Sequence, residues 1–160
     1  MPAPFTARSP DDIADRATLL SMSGLAFIRA MLDGHQPMPA IVDLMGIRLE
    51  AASEGRAVFR GTAAFAHTNP VGGVHGGWYG TLLDSAMGCA VMTVVPQGRW
   101  YTTLEYKVNL TRALPLGVAV LCEGVVDHPG RSTAVARAEI RGAEDGRLYA
   151  TGSTTCILLA

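Results

Sequence analysis

The fold is decided by residues 67–95, which read HTNPVGGVHGGWYGTLLDSAMGCAVMTVV. Between Arg60 and Arg99 lie 38 residues with a single charged side chain, that of Asp84. The whole chain carries 13 Lys and Arg and 14 Asp and Glu among 160 residues, or about one charge in every six positions. This stretch therefore has far fewer charged residues than the rest of the chain, and Asp84 is the exception within it.

The second half of the stretch has the periodicity of a helix. Its apolar residues recur with a 3.6-residue period, and the other positions hold glycine, serine and cysteine instead of charges. A helix that is apolar or small on every side is typically buried, so we predict a central buried helix over residues 77–95, about 18 residues and roughly 27 Å long. Such a helix needs a curved sheet or a partner to cover it.

Strand patterns flank this helix on both sides. Apolar and polar residues alternate over residues 47–65, which predicts two strands joined by the turn Ser53-Glu54-Gly55. After the helix we predict a meander of four strands, over residues 103–110, 117–127, 132–141 and 147–159. In the first of these, Leu104 and Tyr106 are assigned to the buried face and Thr103 to the opposite face.

The N-terminal residues predict one further helix. Ser9-Pro10-Asp11-Asp12 is typical of a helix start, with a serine N-cap, proline at the first position and an acidic residue at the third. Apolar residues at three- and four-residue steps continue to Gly34. The predicted fold is therefore α+β: a curved, mostly antiparallel sheet around a central helix, with an extra N-terminal helix, in one domain.

Composition excludes several classes of function. A net charge of −1 provides no basic field for nucleic acid or for an anionic membrane. We find no signal-peptide pattern and no apolar run of about 20 residues, so we expect a soluble protein. Three cysteines, none in a CxxC pair, indicate reduced core thiols and a cytoplasmic location; they are Cys89, Cys122 and Cys156.

The loop before the central helix favours chemistry by backbone groups. Glycines allow close approach of a ligand, and the first N–H groups of a helix are free donors suited to an oxyanion or a polarised carbonyl. A glycine-rich turn with a structural histidine is an equally good interpretation of the loop alone. The loop has no phosphate-binding GxxxxGK[ST] or GxGxxG pattern, and the chain has no GxSxG.

Asp84 favours the functional interpretation. A carboxylate inside a buried apolar helix costs several kcal/mol unless it is paired or used, and no cation lies within 14 residues of it in the sequence. Pairing with a distant arginine is the structural alternative. We favour a functional role, because perturbed carboxylates cluster at active sites.

Spacing on the helix then predicts a shared site. Gly76 and Asp84 are eight residues apart, or about 12 Å along one helix. An oxyanion donor and a base must both lie about 3 Å from the reacting centre, so these two cannot serve one site within a chain. A twofold dimer with antiparallel central helices would bring Gly76 of one subunit to Asp84 of the other. We therefore expect a homo-oligomer.

These residues together form a recognisable pattern. Asn69 is followed by His75-Gly76-Gly77, Asp84 lies nine residues after the histidine, and Thr102-Thr103-Leu104-Glu105 opens the next strand. Over residues 40–159, including the order of strands, the chain resembles the hot-dog-fold acyl-CoA thioesterases of the PaaI-like, phenylacetate-degradation type.

The resemblance implies a domain organisation and a reaction. Residues 37–160 would form the hot-dog domain, and residues 1–36 an N-terminal helical extension. The expected reaction is hydrolysis of an acyl-CoA to the free acid and CoA. Because a thioester is an activated acyl group, the reaction requires no cofactor beyond the substrate's own CoA. We also expect no metal, since His67 and His75 lack further ligands in a metal-binding spacing.

The same resemblance assigns roles to catalytic candidates. Asp84 would act as nucleophile or as general base for water, and the Gly76 N–H of the neighbouring subunit would polarise the thioester carbonyl. Asn69 would position the thioester or water, although an asparagine before proline also forms turns. Thr103 would orient the water. His75 would be structural or polarising, with catalysis by its imidazole as the alternative.

Other residues are expected to contact the substrate. Arg112 and Gly130-Arg131-Ser132 are candidates for contacting CoA, and both arginines also fit a solvated surface. Thr102 is the alternative to Thr103 if the strand register differs by one residue. The complete predicted substrate-binding set is Gly77, Thr102, Arg112, Gly130, Arg131 and Ser132. Trp78, Tyr79 and Met87 fit either an acyl pocket or the core.

Two other functions remain open at this point. A hot-dog acyl-thioester hydratase or dehydratase would keep the fold and change the reaction. A non-catalytic acyl-CoA-binding module would keep Asp84 for structure. Aromatic and aliphatic acyl groups, and a dimer and a tetramer, are all compatible with the sequence.

Overall fold

A six-stranded antiparallel sheet and one long helix make up most of the fold. The computed structural model describes residues 3–160. The helices are α1 (Arg16–Leu20), α2 (Gly24–Leu32), α3 (Ile41–Leu44) and α4 (Gly76–Met92), with 3-10 turns at Pro10–Asp12 and Phe65–His67. The strands are β1 (Ile47–Ser53), β2 (Arg56–Thr62), β3 (Trp100–Leu110), β4 (Ala119–Pro129), β5 (Thr133–Gly142) and β6 (Leu148–Leu159).

The strand order in the sheet is β1-β2-β4-β5-β6-β3. The predicted meander is confirmed for β4, β5 and β6, but it is wrong for β3, which pairs with β6 at the edge of the sheet. The chain therefore crosses from one edge of the sheet to its interior between β3 and β4. Alternation along a strand reports which face is buried and does not report the neighbouring strand, which is why the sequence missed this crossing.

Helix α4 is the centre of the core, as predicted. It packs against all six strands, and least against β1. A glycine on β4 allows a close approach to the helix, because a Cβ at Gly124 would overlap the carbonyl oxygen of Ala86. The α4 side chains with no exposed surface are Leu82, Leu83, Ala86, Met87, Ala90 and Val91. Trp78 and Tyr79 are almost as fully buried, so with Met87 they belong to the core.

The N-terminal segment is helical, but the prediction of one continuous helix is wrong. Two side chains start new helices within it: Asp15 accepts the N–H of Thr18 at 2.7 Å, and Ser23 accepts the N–H of Ala26 at 3.3 Å. A side chain that bonds the third N–H ahead of it caps a helix N-terminus, so the apolar pattern is interrupted between α1 and α2.

A β-bulge in β3 changes which residues face α4. Thr103 pairs with Cys156 and Glu105 pairs with Thr155, so Leu104 is an extra residue. Such an insertion shifts the alternation of side chains by one position. The prediction that Thr103 and Leu104 lie on the outer and buried faces, respectively, is therefore wrong: Thr103 points toward α4, and Leu104 is 58% exposed.

The state of the cysteines and the character of the helices bear on the expectations drawn from composition. All three cysteines are free; Cys122 and Cys156 are buried, and Cys89 is half-buried. Within residues 3–160, none of the helices has the length and apolar character required to cross a membrane.

Candidate active site

The site is centred on a hydrogen bond between α4 and β3. Thr103 Oγ1 donates to Asp84 Oδ1 at 3.0 Å. Asp84 is half-buried, and none of the ion pairs between residues in 3–160 includes it. The alternative of a distant arginine paired with Asp84 is thus not found within the described chain. Its only side-chain partner there is the threonine hydroxyl.

The surroundings of Asp84 disfavour its charge. Burial raises the pKa of Asp84, and the hydrogen bond from Thr103 opposes that shift because it stabilises the carboxylate. Burial, followed by the charge of Asp84, raises the pKa of the Cys89 thiol to about 12. Burial is also the main reason that the pKa of Tyr101 is raised well above its ordinary value. A carboxylate with a raised pKa is a stronger base when it is ionised.

Small residues let β3 lie directly against α4. A Cβ added at Gly76 would lie 3.7 Å from Leu110 Cδ1, and one at Gly80 would lie 3.2 Å from the Tyr106 hydroxyl. In order along α4, the residues facing β3 are Gly76, Gly80, Asp84 and Gly88, and they meet Leu110, Tyr106, Thr103 and Tyr101. Gly76 thus lies by the end of β3, while Asp84 lies near its beginning.

The N-terminus of α4 presents one free donor. Gly76 is the first helical residue and is exposed, and its N–H has no acceptor within the described part of the chain. His75 is the N-cap, and its Nδ1 accepts the N–H of Gly77 at 2.9 Å. This cap occupies the Gly77 N–H, and the predicted substrate contact of Gly77 stays a prediction. The cap also favours the structural role for His75, because Nδ1 is committed as an acceptor.

Asn69 organises the loop that leads to this helix. Its Oδ1 accepts the N–H of Val71 at 3.1 Å and the N–H of Gly73 at 3.0 Å. Gly72 has a φ of 83°, which glycine adopts without strain. The side-chain oxygen thus serves the turn, and the amide nitrogen is the part of this half-buried side chain still available to a ligand.

The remaining candidates lie on the periphery of the site. Thr102 is exposed and points away from Asp84, so the register selects Thr103 of the two threonines. Arg112 is exposed in the segment after β3, at the Gly76 end. The turn Gly130-Arg131-Ser132 lies at the other end, because Arg99 Nη1 donates to the Arg131 carbonyl oxygen at 2.7 Å and Arg99 directly precedes β3.

Sequence reasoning missed two neighbours of the pair. Cys156 Sγ lies 4.0 Å from Thr103 Oγ1, across the β3–β6 ladder. Tyr101 lies against Gly88, one helical turn beyond Asp84. Both contacts depend on strand pairing and on the bulge, for which the sequence has no local signal. Within residues 3–160, no three His, Cys, Asp or Glu side chains form a group that could hold a metal ion.

Comparison with known proteins identifies the family. The model of the thioesterase superfamily matches residues 71–149, which include Gly76, Asp84 and Thr103. The conserved protein PA5202 from Pseudomonas aeruginosa is 34% identical, with 76% of this chain and 95% of that chain covered and a TM-score of 0.70. No curated protein matches the chain.

Two phenylacetic acid degradation proteins have the same fold. The phenylacetic acid degradation-related protein from Ralstonia eutropha is 28% identical, over 82% of this chain and 98% of that one, with a TM-score of 0.74. A variant of PaaI from Thermus thermophilus is 27% identical, over 73% and 96%, with a TM-score of 0.67. The chain therefore belongs to the thioesterase superfamily, as a thioester hydrolase of the hot-dog fold and the PaaI-like type.

Proposed function

We propose that the protein is an acyl-CoA thioesterase that hydrolyses an acyl- or aryl-acyl-CoA to the free acid and CoA. The observation that carries this proposal is the pair of Asp84 and Thr103, a half-buried carboxylate with a raised pKa and a hydroxyl as its partner. The similarity to phenylacetic acid degradation proteins supports an acyl or aryl-acyl substrate.

Asp84 has two possible chemical roles. As a general base, its carboxylate takes a proton from water while the water oxygen attacks the thioester carbonyl carbon. The carbon–sulfur bond then breaks, and the CoA sulfur leaves with the proton. As a nucleophile, a carboxylate oxygen attacks the same carbon, CoA leaves, and water hydrolyses the resulting anhydride. In both routes Thr103 holds Oδ1 of Asp84 and leaves Oδ2 for the reacting atoms.

We infer that the oxyanion donor is Gly76 of the partner subunit. In one chain Gly76 lies beside Leu110 at the end of β3, whereas Asp84 lies beside Thr103 near its start. Antiparallel pairing of two β3 strands would set the end of one beside the start of the other. Each Asp84 would then meet the free N–H at the helix start of the other subunit, which gives two sites per dimer.

The free edge of the sheet supports such a dimer. Strand β3 is 11 residues long and has a neighbour on one side only. Its large apolar side chains are unusually exposed for a strand that packs against the central helix: Leu104 is 58%, Tyr106 46% and Leu110 53% exposed. Long exposed apolar edges are aggregation-prone unless another chain covers them, so a second copy is the natural partner.

The exposed arginines at the two ends of β3 suit the phosphates of CoA. Neither Arg112 nor Arg131 takes part in an ion pair between residues in 3–160. Arg131 lies at the Thr103 end, and in the antiparallel dimer Arg112 of the partner subunit would approach the same end. Two guanidinium groups near one site would favour binding of a polyanionic group such as the phosphates of CoA.

Thiol release tests the proposal. The protein is incubated with acetyl-, octanoyl- and phenylacetyl-CoA, and free CoA is measured with a thiol reagent. We expect hydrolysis of at least one substrate, and loss of at least about 10²-fold in kcat/KM for Asp84→Asn. The exposed Asp11→Asn is the matched control and should retain the full rate.

Three results would contradict the proposal. They are no CoA release from any of the three substrates, a full rate in folded Asp84→Asn, and, with an enoyl-CoA added as a fourth substrate, loss of its enoyl absorbance without thiol release. The last result would indicate the hydratase alternative, because hydration removes the double bond and leaves the thioester intact.

A further inference from the structure

An apolar cavity of about 280 Å³ lies between the N-terminal segment, α4 and the start of β3. Leu19, Phe27 and Met31 form one wall, from the N-terminal segment. Trp100 and Tyr101 at the start of β3 form the other wall, together with α4. Among the described residues that line it, none carries a charge.

The N-terminal wall is fixed to the domain by backbone contacts. The Gly24 N–H donates to the Val95 carbonyl oxygen at 2.9 Å, and the Gly98 N–H donates to the Leu20 carbonyl oxygen at 3.0 Å. A Cβ at Gly24 would overlap the Met92 carbonyl oxygen, so this close approach requires glycine. The N-terminal wall is therefore packed directly against the end of α4 and the segment that follows it.

Two residues that line the cavity, Tyr101 and Cys89, lie close to Thr103 and Asp84 along β3 and α4. Tyr101 is two residues before Thr103 on the same face of β3, or about 7 Å along the strand. Cys89, which also lines the cavity, is five residues after Asp84, or about 7.5 Å along α4. A group bonded to a carbonyl carbon at Asp84 would reach the cavity within a few carbon atoms.

We propose that this cavity binds the apolar acyl group of the thioester substrate, while the thioester carbonyl lies at Asp84 and Thr103. This inference rests on the proposed function and adds its substrate class. It also places the acyl pocket away from Trp78, Tyr79 and Met87, which are packed into the core with at most 3% exposed surface.

The size and lining of the cavity define the acyl groups that fit. A cavity of about 150 Å³ in another protein holds a benzene molecule, so about 280 Å³ accommodates an aromatic ring with a short linker or a medium aliphatic chain. An acyl group with a second carboxylate would be disfavoured, because no cation in the lining offsets its desolvation. We therefore expect selectivity for aryl and medium-chain acyl groups over acetyl and succinyl groups.

Filling the cavity tests this assignment. Ala14 is half-buried, lies outside the helices and lines the cavity, so Ala14→Phe adds volume there. Ala17 is exposed on α1 and does not line it, so Ala17→Phe is the matched control. For Ala14→Phe we expect kcat/KM to fall by about tenfold or more for octanoyl- and phenylacetyl-CoA, with little change for acetyl-CoA. The control should leave all three values unchanged.

A second variant and a binding measurement complete the test. Phe27→Ala enlarges the cavity and should move the preferred acyl chain to a greater length. Calorimetry with an octanoyl-CoA analogue that has an amide in place of the thioester measures occupancy without hydrolysis. Its Kd should increase by about tenfold in Ala14→Phe and stay constant in Ala17→Phe.

The outcomes separate this inference from the proposed function. Asp84-dependent hydrolysis with a chain-length profile unchanged in both cavity variants would overturn the acyl pocket and leave the thioesterase intact. An equal loss for all substrates in Ala14→Phe would overturn it as well. No hydrolysis at all, combined with analogue binding that Ala14→Phe weakens, would support the pocket and contradict the proposed function.

Discussion

Thr103 Oγ1 lies 3.0 Å from Asp84 Oδ1 only because Leu104 bulges out of β3. Without the extra residue, Thr103 would share a face with Glu105 and Lys107, which are exposed. The bulge therefore turns a hydroxyl toward the one carboxylate of α4. Bulges of this kind recur next to active sites, where they redirect a side chain.

The first prediction concerns the effect of Thr103 on pH dependence. The hydroxyl lowers the pKa of Asp84 by stabilising its charged form, so Thr103→Val should raise that pKa further. A carboxylate base or nucleophile works when ionised, and the acidic limb of the kcat/KM profile should therefore move to higher pH. Thr103→Ser should retain the wild-type limb.

Thr102→Val is the matched control for this measurement. Thr102 is adjacent in sequence but exposed and directed away from Asp84. Its replacement should leave the pH profile in place. An unshifted profile in Thr103→Val, or equal shifts in both variants, would show that the hydrogen bond does not set the pKa of Asp84.

The second prediction is that the ionised carboxylate of Asp84 lowers the stability of the folded protein. Its pKa in the folded state is raised above the ordinary value of 3.8, mainly by burial, so the folded protein binds more protons than the unfolded chain between pH 3.8 and the raised pKa. The free energy of unfolding should fall as pH rises through that window. Asp84→Asn does not titrate there and should raise Tm by a few degrees at pH 7.

The gain should disappear as pH falls below 3.8, where Asp84 is protonated in both the folded and the unfolded state. Thermal unfolding at a fixed protein concentration measures it, because an oligomer's Tm depends on concentration. The exposed Asp11→Asn is the matched control for this measurement and should leave Tm unchanged at pH 7. A lower Tm for Asp84→Asn at pH 7 would mean that the ionised carboxylate stabilises the fold.

Much of this site could be predicted from the sequence, because two of its signals are local. A single charge in an otherwise apolar helix identified Asp84, and glycines before that helix identified the donor at Gly76. The breaks of the N-terminal helix also had local signals, the capping residues Asp15 and Ser23, which the apolar periodicity obscured.

The remaining features depend on contacts between distant segments. The position of β3 beside β6 and the bulge at Leu104 arise from pairing residues about 50 positions apart, such as Thr103 with Cys156. Neither the hydrophobic pattern nor the turn residues of β3 encode that register. The role of Thr103 was therefore predictable only through the family resemblance, which named the residue without its geometry.

The third prediction isolates the N–H of Gly76. Proline is well accepted at the first position of a helix, and His75 already has the extended backbone, φ −65° and ψ 138°, that a residue before proline requires. Gly76→Pro should therefore fold while it loses the donor, with a fall of about 10²-fold in kcat. Gly76→Ala keeps the N–H, places its Cβ at 3.7 Å from Leu110 and should remain active. Equal activities of the two variants would exclude this N–H as the oxyanion donor.

The fourth prediction concerns recognition of CoA. Arg131→Ala should raise KM for acyl-CoA by about two- to fivefold, the range of an exposed ion pair, with less effect at high salt. It should not change KM for the matching pantetheine thioester, which lacks the nucleotide phosphates. Arg29→Ala removes another exposed arginine on α2 and should leave both values unchanged. A parallel increase for both substrates would assign Arg131 to the acyl or pantetheine part, or to folding.

The fifth prediction tests whether two subunits share each site. Asp84→Asn and Gly76→Pro are each expected to be inactive, yet a heterodimer of the two variants would have one site with an intact Asp84 and an intact Gly76. Random exchange of an equal mixture should restore about one quarter of the wild-type rate, because half the dimers are mixed and each has one of two sites intact.

Differently tagged subunits verify exchange, and an equal mixture of Asp84→Asn with Gly76→Ala should recover more than one quarter of the wild-type rate. If both groups came from one chain, every subunit in the first mixture would lack one of them. No recovery after verified exchange would therefore require a site within the monomer. Such a site would conflict with the helix geometry, because the eight residues between Gly76 and Asp84 separate them by about 12 Å along α4, at about 1.5 Å of rise for each residue.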